Sequence, residues 1–376
     1  MSDVATLSRL APAVSQLPVD WYFDEKILEL EKKLIFDAGS GYVGHQLMVT
    51  EAGNYRSLEW KDHGQMLLNG GNEGPNAGHW QMSNVCRHRQ AIMLQGSGTL
   101  NGPIVCPIHR WTYDTGGQLI GAPHFPQNPC LNLNKARLDN WNGLLFKGPR
   151  SATADLAGMN VASQLDFTGY KLDHVEMHEC NYNWKTFIEV YLEDYHVGPF
   201  HPGLGSVVTC DDLRWEFKPE YSVQTVGVTN WQGQAGSPVY ERWHQQLLQY
   251  RQGQTPKQGA IWLTYYPHIM VEWYPHVLTV STLHPMGPQK TLNMVEFYYP
   301  EEIVAFEREF VEAQQAAYME TCIEDDEIAE RMDAGRRALL QRGDNEVGPY
   351  QSPMEDGMQH FHAWYRNAMG LRNIQT

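Results

Sequence analysis

Two short segments in the first third of the chain each combine a cysteine with a histidine. Cys86 and His88 are separated by one residue, and after 17 intervening residues Cys106 and His109 are separated by two. Two thiolates and two imidazoles are the ligands of a [2Fe–2S] cluster in which one iron is bound by two cysteines and the other by two histidines. A structural zinc site uses the same ligand types. Zinc sites, however, usually pair cysteine with cysteine and histidine with histidine, so the mixed pairs favour the iron–sulfur cluster.

The residues around these ligands favour two loops held close together. In an extended loop, Cys86 and His88 project to the same side because side chains alternate along the backbone. Pro107 restricts the backbone of the second loop and removes a hydrogen-bond donor. Turn-forming residues occupy the stretch between the loops, namely Gly96, Gly98, Gly102 and Pro103. We therefore expect a hairpin that brings the two loops to one place.

A second group of polar residues in the middle of the chain has helical spacing. Glu189, Glu193 and His196 are four and then three residues apart, so we predict that they lie on one face of a helix.

A further histidine, His201, follows His196 by five residues and would point away from it on a continuous helix. Gly198 and Pro199 lie between them, and a proline disfavours helical geometry in the residue before it. We therefore predict that the helix ends between the two histidines, so that both imidazoles can converge on one ion. In a chain with 16 histidines such a pair also arises by chance, so the spacing alone does not predict a metal site.

Both groups lie in longer segments that resemble one enzyme family. NVCRHRQ and VCPIHRWTYDTGGQL closely resemble the two loops of Rieske domains, and FIEVYLEDYHVGPFHPG resembles the iron-binding segment of ring-hydroxylating oxygenase α subunits. Similar segments occur in oxygenases that act on quaternary ammonium compounds. The resemblance covers nearly the whole chain and is least specific at residues 213–300. It implies that Cys86 and Cys106 bind one iron of the cluster while His88 and His109 bind the other.

The resemblance also implies a mononuclear iron bound by two histidines and a distant aspartate, which leaves positions open for O2. His196 and His201 match the two histidines. The acidic run from Cys322 to Glu330 resembles the closing segment of the family at the start of a helix, and this match places the third ligand at Asp325. Because acidic residues are also common at helix starts for capping reasons, Asp326 and Glu324 are the next candidates.

Glu193 occupies the position where most family members have an aspartate, three residues before the first iron-binding histidine. The resemblance implies that this carboxylate bridges the mononuclear site to the Rieske histidine of a neighbouring subunit, here His109. Its longer side chain could preserve the bridge with a different reach. The alternative is an ordinary solvated glutamate on the helix surface.

The elements that position these residues suggest an α+β fold. Residues 18–36 read as an amphipathic helix with Asp20 as N-cap and an apolar stripe of Ile27, Leu30, Leu34 and Ile35. Residues 42–148 read as short antiparallel strands separated by turns, and 213–300 as longer strands. Helical patterns follow at about 301–321, 325–342 and 355–370. Strands followed by helices suggest helices covering one face of an antiparallel sheet.

We therefore divide the chain into three parts. Residues 1–40 form an N-terminal helix that packs on the catalytic domain, 41–150 a small all-β Rieske domain, and 151–376 the catalytic domain. By the resemblance, the catalytic domain is a helix-grip fold, an antiparallel sheet around a long helix.

Composition narrows the function classes. The 376 residues carry a formal net charge of −16, which argues against binding nucleic acid through its phosphates. No apolar run of about 18 residues occurs, and the first residues lack the basic flank and apolar core of a signal peptide, so we expect neither a membrane span nor export. Six cysteines without a secretory signal favour reduced thiols or metal ligands and a cytoplasmic location.

The resulting hypothesis is a terminal oxygenase that uses O2 and electrons from NAD(P)H, delivered by a flavin or iron–sulfur reductase or a ferredoxin. The resemblance implies a homotrimer in which the cluster of one subunit serves the iron of the next. An aromatic ring is the first substrate expectation, and hydroxylation or demethylation of a methylated amine such as a betaine or carnitine is the alternative. Two other classes stay open: a Rieske electron carrier without the second iron, and a zinc-binding interaction protein.

Overall fold

The chain divides into two units, one of which is discontinuous in sequence. The computed structural model describes residues 16–61, 63–74, 77–229 and 235–370. The small unit is Asp37–Met159, and the large unit consists of the described parts of Met1–Phe36 and Asn160–Thr376. Residues 16–36 are therefore grouped with the C-terminal part of the chain, although the small unit lies between them in sequence.

The small unit is built from short antiparallel strands. The strands are β1 (Gly41–His45), β2 (Asn54–Ser57), β3 (Gln65–Asn69), β4 (His79–Ser83), β5 (Ser97–Thr99), β6 (Ile104–Val105), β7 (Thr112–Tyr113), β8 (Leu119–Gly121), β9 (Lys135–Arg137), β10 (Asp139–Trp141) and β11 (Leu144–Lys147). Five of them form a sheet in the order β5-β2-β3-β4-β9, and two three-stranded sheets have the orders β6-β7-β8 and β1-β11-β10. Its described helices are Gln46–Met48, Glu59–Lys61 and Ala152–Asp155.

The large unit contains a seven-stranded antiparallel sheet. Its strands are β12 (Tyr170–Cys180), β13 (Val208–Lys218), β14 (Tyr221–Val228), β15 (Ala260–Tyr265), β16 (Ile269–Tyr274), β17 (Val277–Gly287) and β18 (Lys290–Pro300). They are hydrogen-bonded in the order β12-β18-β17-β16-β15-β14-β13. The described helices are Val19–Tyr22, Glu25–Glu31, Lys32–Phe36, Trp184–Tyr191, Val197–Phe200, Leu204–Ser206, Pro238–Tyr250, Glu301–Phe306, Arg308–Arg342 and Asp356–Ala368. The predicted α+β class, with a small all-β part and a large antiparallel sheet, is confirmed.

The strand register determines which side chains face the helices. Trp262, Glu272, Thr279 and Phe297 are directly opposite one another on four adjacent strands, so they lie in one row on one face of the sheet. Phe297 contacts Tyr318 of the helix Arg308–Arg342, with ring centroids 5.2 Å apart. This face therefore packs on that helix.

The next row of the same sheet points the other way. Leu263, Val271, Val280 and Glu296 are cross-strand partners, each adjacent in sequence to a member of the first row. Because successive side chains of a strand alternate between faces, Glu296 projects from the face opposite Glu272.

The helix Arg308–Arg342, called the long helix below, is continuous through the region predicted as two helices. No glycine or proline occurs between Arg308 and Ala334, so nothing in the chain ends the helix after residue 321. It ends at Gly343, whose φ of 75° gives the left-handed C-cap that favours glycine. Asp325 therefore lies within the long helix and not at the start of one.

The N-terminal segment is helical but irregular, and its predicted cap and stripe are wrong in part. Asp24, not Asp20, is the N-cap of the α-helical stretch, where its carboxylate accepts from the Lys26 amide at 2.7 Å. Leu30 and Leu34 are 45% and 39% exposed. The π-helical turn Lys32–Phe36 shifts the phase of the side chains relative to a regular helix.

Among the described residues, no helix combines the length and the apolar character that crossing a membrane requires.

Candidate metal centres

The two cysteine–histidine loops of the small unit have the same backbone turn. In each loop, the amide four residues after the cysteine donates to the cysteine carbonyl: Gln90 to Cys86 and Arg110 to Cys106, both at 3.1 Å. Gln90 and Arg110 also have similar positive φ values, 54° and 59°. The repeated turn presents the side chains after both cysteines in an equivalent way.

All four predicted cluster ligands come together between these loops. Cys86 and Cys106 are buried in one apolar cluster of the small unit. The rings of His88 and His109 lie 4.6 Å apart, with His88 half-buried and His109 exposed. Buried sulfurs with imidazoles nearer the surface are a donor set that fits a [2Fe–2S] cluster.

Two aromatic side chains support this donor set. Trp111 stacks on His88 with ring centroids 4.9 Å apart, and the Tyr113 hydroxyl lies 3.6 Å from the Cys86 sulfur. Burial raises the pKa of Tyr113, so its hydroxyl stays protonated and can donate to a thiolate. The contact between Tyr113 and Cys86 was not predicted from the sequence, in which Tyr113 is only part of the segment that resembles a Rieske loop.

The large unit brings His196, His201 and Asp325 together. The two Nε2 atoms are 3.0 Å apart, and Asp325 Oδ1 lies 2.9 Å from His201 Nε2 and 3.4 Å from His196 Nε2. The Oδ1 atom is buried, and none of the described groups gives it a well-aligned hydrogen bond. Three potential ligand atoms thus face one point, and this arrangement fits a metal ion bound by two histidines and one carboxylate.

The other nitrogen of each ring is held by a carboxylate. His196 Nδ1 lies 2.6 Å from Glu193 Oε1, and His201 Nδ1 lies 2.7 Å from Glu324 Oε2. A metal-binding histidine typically donates its second N–H to such an acceptor, which fixes the tautomer and the ring orientation. Both imidazoles are therefore held with Nε2 available to a metal.

The electrostatics of this group favour a cation. Burial alone would lower the pKa of His196, but Asp325 and Glu193 outweigh burial and raise it to about 10. Glu193, Glu324 and Asp325 place three carboxylates around two imidazoles. A bound cation would balance this negative charge while leaving both rings neutral.

Three consecutive acidic residues of the long helix make three different sets of contacts. Glu324 contacts His201, and Asp325 faces the two imidazoles. Asp326 accepts from His178 Nε2 at 2.8 Å and from the Tyr182 hydroxyl at 2.7 Å. Of the three candidates for the third ligand, Asp325 is the one that the structure brings to the Nε2 atoms of both imidazoles.

The backbone between the two histidines differs from the prediction. The helix Trp184–Tyr191 ends before His196, and a second short helix, Val197–Phe200, contains Gly198 and Pro199. The predicted break between the histidines is thus wrong: the chain leaves the first helix earlier and His201 follows the second. Pro199 is tolerated there because amides in the first turn of a helix have no intrahelical partner.

Glu189 and Glu193 also fail to share a helical face with His196. Glu189 pairs with Arg336 of the long helix and contacts His362, whereas Glu193 lies beyond the helix end. Glu193 Oε2 accepts from the His196 amide at 3.1 Å. Glu193 is thus next to the metal group, as predicted, but through a loop.

A cavity opens beside the metal group. His196, His201 and Asp325 line it together with Asp194 and Glu272, and its other walls are largely apolar or aromatic. None of its described lining residues is lysine or arginine. Asp194 and Glu272 were not predicted from the sequence. For Glu272 the available signal was a single acidic residue within the apolar strand IMVEWY.

Comparisons with known proteins agree with this geometry. Residues 42–136 match the family model for the Rieske [2Fe-2S] domain, and residues 167–371 match that for the ring hydroxylating alpha subunit (catalytic domain). The chain is 63% identical over 369 residues to putrescine 2-hydroxylase of Ralstonia nicotianae, covering 98% of this chain and 100% of the relative. It is 60% identical to putrescine 2-hydroxylase of Bordetella bronchiseptica, covering 98% and 88%.

Among solved structures, the fold resembles that of the quaternary ammonium Rieske monooxygenase CntA in complex with L-carnitine. The TM-score is 0.72 at 19% identity, over 94% of this chain and 96% of that one.

Proposed function

This chain belongs to the family of ring-hydroxylating oxygenase α subunits, and we propose that it is a terminal oxygenase that hydroxylates an aliphatic diamine of about the size of putrescine. The observation that carries the proposal is the cavity beside the metal group, which combines carboxylates with aromatic walls and no lysine or arginine among its described residues. Such a lining complements an organic cation.

The family uses a [2Fe–2S] cluster and a mononuclear iron. We assign the cluster to Cys86, Cys106, His88 and His109, and the mononuclear iron to His196, His201 and Asp325. When bound, the mononuclear iron activates O2 with electrons from the cluster. The side chains of the cavity hold the substrate in position and exclude water.

An amine fits this cavity better than the aromatic substrate that sequence analysis placed first. An uncharged ring would leave the buried Asp194 and Glu272 without a cation, and burial raises their pKa values to about 8 and about 7, toward the neutral form. An ammonium group would stabilise their charged forms. Two relatives of at least 60% identity are named for putrescine, an amine. The amine alternative is therefore favoured, with a primary diamine in place of the betaine or carnitine considered there.

Electrons have to reach the cluster from outside the chain. We propose that an NAD(P)H-dependent flavin or iron–sulfur reductase, or a ferredoxin, supplies them in the cytoplasm, where NAD(P)H is available. The exposed ring of His109 places one proposed cluster ligand at the surface of the small unit, where electrons can be exchanged with a partner.

We further propose a homotrimer in which Glu193 of one subunit bridges to His109 of the next. Glu193 already accepts from the His196 ring and from two amides. Because a carboxylate has about four acceptor positions, one more donor can be accommodated.

The experiment is substrate oxidation by the purified holoenzyme with a matched reductase. Putrescine, a longer and a shorter diamine, carnitine and benzoate are compared, with products identified by mass spectrometry under 18O2. We expect one labelled oxygen atom in a diamine and tight coupling of NAD(P)H oxidation to product. Turnover of benzoate with none of any diamine would overturn the proposal.

Iron analysis tests the enzyme class separately. We expect about three irons per chain, two from the cluster and one from the mononuclear site. About two irons would indicate a Rieske electron carrier, and a colourless zinc protein would indicate the interaction class.

A further inference from the structure

Glu272 is a buried carboxylate within the substrate cavity. It lies on β16, is 2% exposed, and faces the same cavity as His196, His201 and Asp325. No lysine, arginine or histidine among the described residues forms an ion pair with it. Its position on the helix-facing side of the sheet is fixed by the register with Trp262.

Neutral hydroxyls hold the Glu272 carboxylate in place. Tyr318 donates to Oε1 at 2.7 Å and Tyr274 donates to Oε2 at 2.8 Å. The Trp262 indole donates to the Tyr274 hydroxyl at 3.0 Å, so the ring that orients the carboxylate is itself oriented. Each oxygen keeps acceptor capacity, because two donors do not fill the four positions of a carboxylate.

The Glu272 carboxylate has hydrogen-bond donors but no cationic partner among the described residues. Buried charges are normally paired, and burial raises the pKa of Glu272 to about 7 despite the hydrogen bonds from tyrosine. A positive group in the cavity would supply the missing charge and strengthen the hydrogen bonds through charge assistance.

We propose that Glu272 is the specificity-determining residue that binds one ammonium group of the substrate. The inference rests on the proposed function, since it assigns a residue to the recognition of the diamine. Trp243 and Trp262 provide apolar walls for the methylene chain.

Glu193 and Asp325 also line the cavity but contact the metal-binding imidazoles, so Asp194 is the second carboxylate left for the substrate, from a different segment of the chain than Glu272. Asp194 lies two residues before His196, is buried, and its Oδ2 atom has no hydrogen-bond partner in the described part of the chain. A cavity with two separate carboxylates suits a molecule with a cation at each end better than a molecule with one.

The main test is Glu272→Gln, which keeps the size and removes the charge. For putrescine we expect KM to rise by about 10- to 100-fold, the range for losing a hydrogen bond to a charged group. For n-butylamine, which has a single ammonium, we expect a smaller rise, so that the variant loses most of the preference for the diamine. Iron content and the cluster spectrum should stay unchanged. An unchanged KM ratio between the two amines would overturn the inference.

Glu296→Gln is the matched control. Glu296 is also buried, lies on a strand of the same sheet, and accepts from a tyrosine two residues later, Tyr298, as Glu272 does from Tyr274. It projects from the opposite face and does not line the cavity. We therefore expect wild-type KM values for both amines.

Glu272→Asp is a second variant for the case that Glu272→Gln misfolds. It keeps the charge with a shorter reach, so we expect it to retain part of the diamine preference. If Glu272→Gln lacks the cluster spectrum, Glu272→Asp is used in its place. Glu272→Asp should then lose less of the diamine preference than the double variant Glu272→Asp with Tyr318→Phe.

Direct binding separates this inference from the proposed function. Calorimetric titration of the holoenzyme with putrescine, carnitine and choline requires no turnover. If the wild type binds one of these cations and Glu272→Gln weakens that binding, the role of Glu272 stands even if putrescine is not the substrate. If diamine hydroxylation is observed and Glu272→Gln binds as the wild type does, the proposed function stands and the inference fails. Binding of none of the cations would overturn both.

Discussion

Glu189 and Arg336 form a buried ion pair between the helix Trp184–Tyr191 and the long helix. Glu189 also accepts hydrogen bonds from Tyr22 and from His362 at 2.8 Å. Burial alone would raise the pKa of Glu189, but Arg336, His362 and Tyr22 together outweigh burial and lower the pKa to about 2. This carboxylate thus joins the N-terminal segment, the long helix and the C-terminal helix to the helix that precedes the metal-binding loop.

Removing the cation of this pair should destabilise the large unit. In Arg336→Met the Glu189 charge stays buried without its partner, and the expected loss is about 3–5 kcal/mol of unfolding free energy. The control is Arg331→Met on the same helix, whose side chain is 73% exposed and pairs with Glu327. We expect a change within about 0.5 kcal/mol there. Equal melting temperatures for the two variants in a thermal scan would contradict the role of the pair.

The two metal centres should be separable by single substitutions. His201→Ala removes one proposed ligand of the mononuclear iron, so iron should fall from about three to about two per chain while the cluster absorption persists. His88→Ala removes a proposed cluster ligand and should abolish the visible spectrum. Iron analysis and absorption spectroscopy of both proteins provide the measurement. Loss of the cluster spectrum in His201→Ala would show that the assignment is incorrect.

Glu324 should act through His201. Its carboxylate accepts from Nδ1, and loss of such a support typically lowers metal affinity by about 10- to 100-fold. Glu324→Ala should therefore release Fe(II) at lower chelator concentrations than the wild type. Asp326→Asn is the comparison, because this neighbouring acid contacts His178 and Tyr182 and not the proposed ligands. If both variants hold iron equally, Glu324 has no positioning role.

Glu193→Gln tests electron delivery without removing a metal ligand. We expect both metals to be retained, because the amide oxygen can still accept from His196. Transfer between the cluster and the mononuclear site should slow, so that cluster oxidation is no longer coupled to turnover in stopped-flow measurements. Full turnover in this variant would refute the bridging role.

His45 should make the small unit sensitive to acid. Burial lowers its pKa from 6.5 to about 3, so the folded protein keeps the ring neutral while the unfolded chain takes up a proton below pH about 6.5. Stability from this group is therefore complete above pH 6.5 and is lost as the pH falls toward 3, by up to about 1.4 kcal/mol per pH unit. His45→Gln should flatten the acid decline of the melting temperature, whereas substitution of the exposed His63 should not.

The predictions that were confirmed rest on local sequence motifs. The family, the α+β class and the need for a cluster and a mononuclear iron are confirmed, because ligand spacing within a loop is a local property. The roles of the individual ligands stay predictions, although the structure brings all of them together. Contacts between residues far apart in the sequence could not be predicted. For example, nothing in the sequence near Glu189 indicates its contact with Arg336, 147 residues later.

The missed residues share a physical cause. Glu272 resembles a surface residue by type, and only the register of β16 against its neighbours shows that it faces a cavity. The helix boundaries around His196 and Asp325 depend on packing, which overrides the local preferences of Gly198 and Pro199 and of the acidic run. Propensity is a weak guide where tertiary contacts decide.

Because the long helix is continuous, few insertions or deletions can be tolerated within it. Glu324, Asp325 and Asp326 precede Arg336 by about three turns on one rigid rod, and each residue turns the rod by about 100°. Inserting or deleting a single residue between them would break one of two sets of contacts. Either the acidic residues would rotate away from their histidines while Arg336 stayed paired with Glu189, or Arg336 would rotate away from Glu189 while the acidic residues kept their contacts. Length variation among close relatives is thus expected in the loops, with this interval held constant.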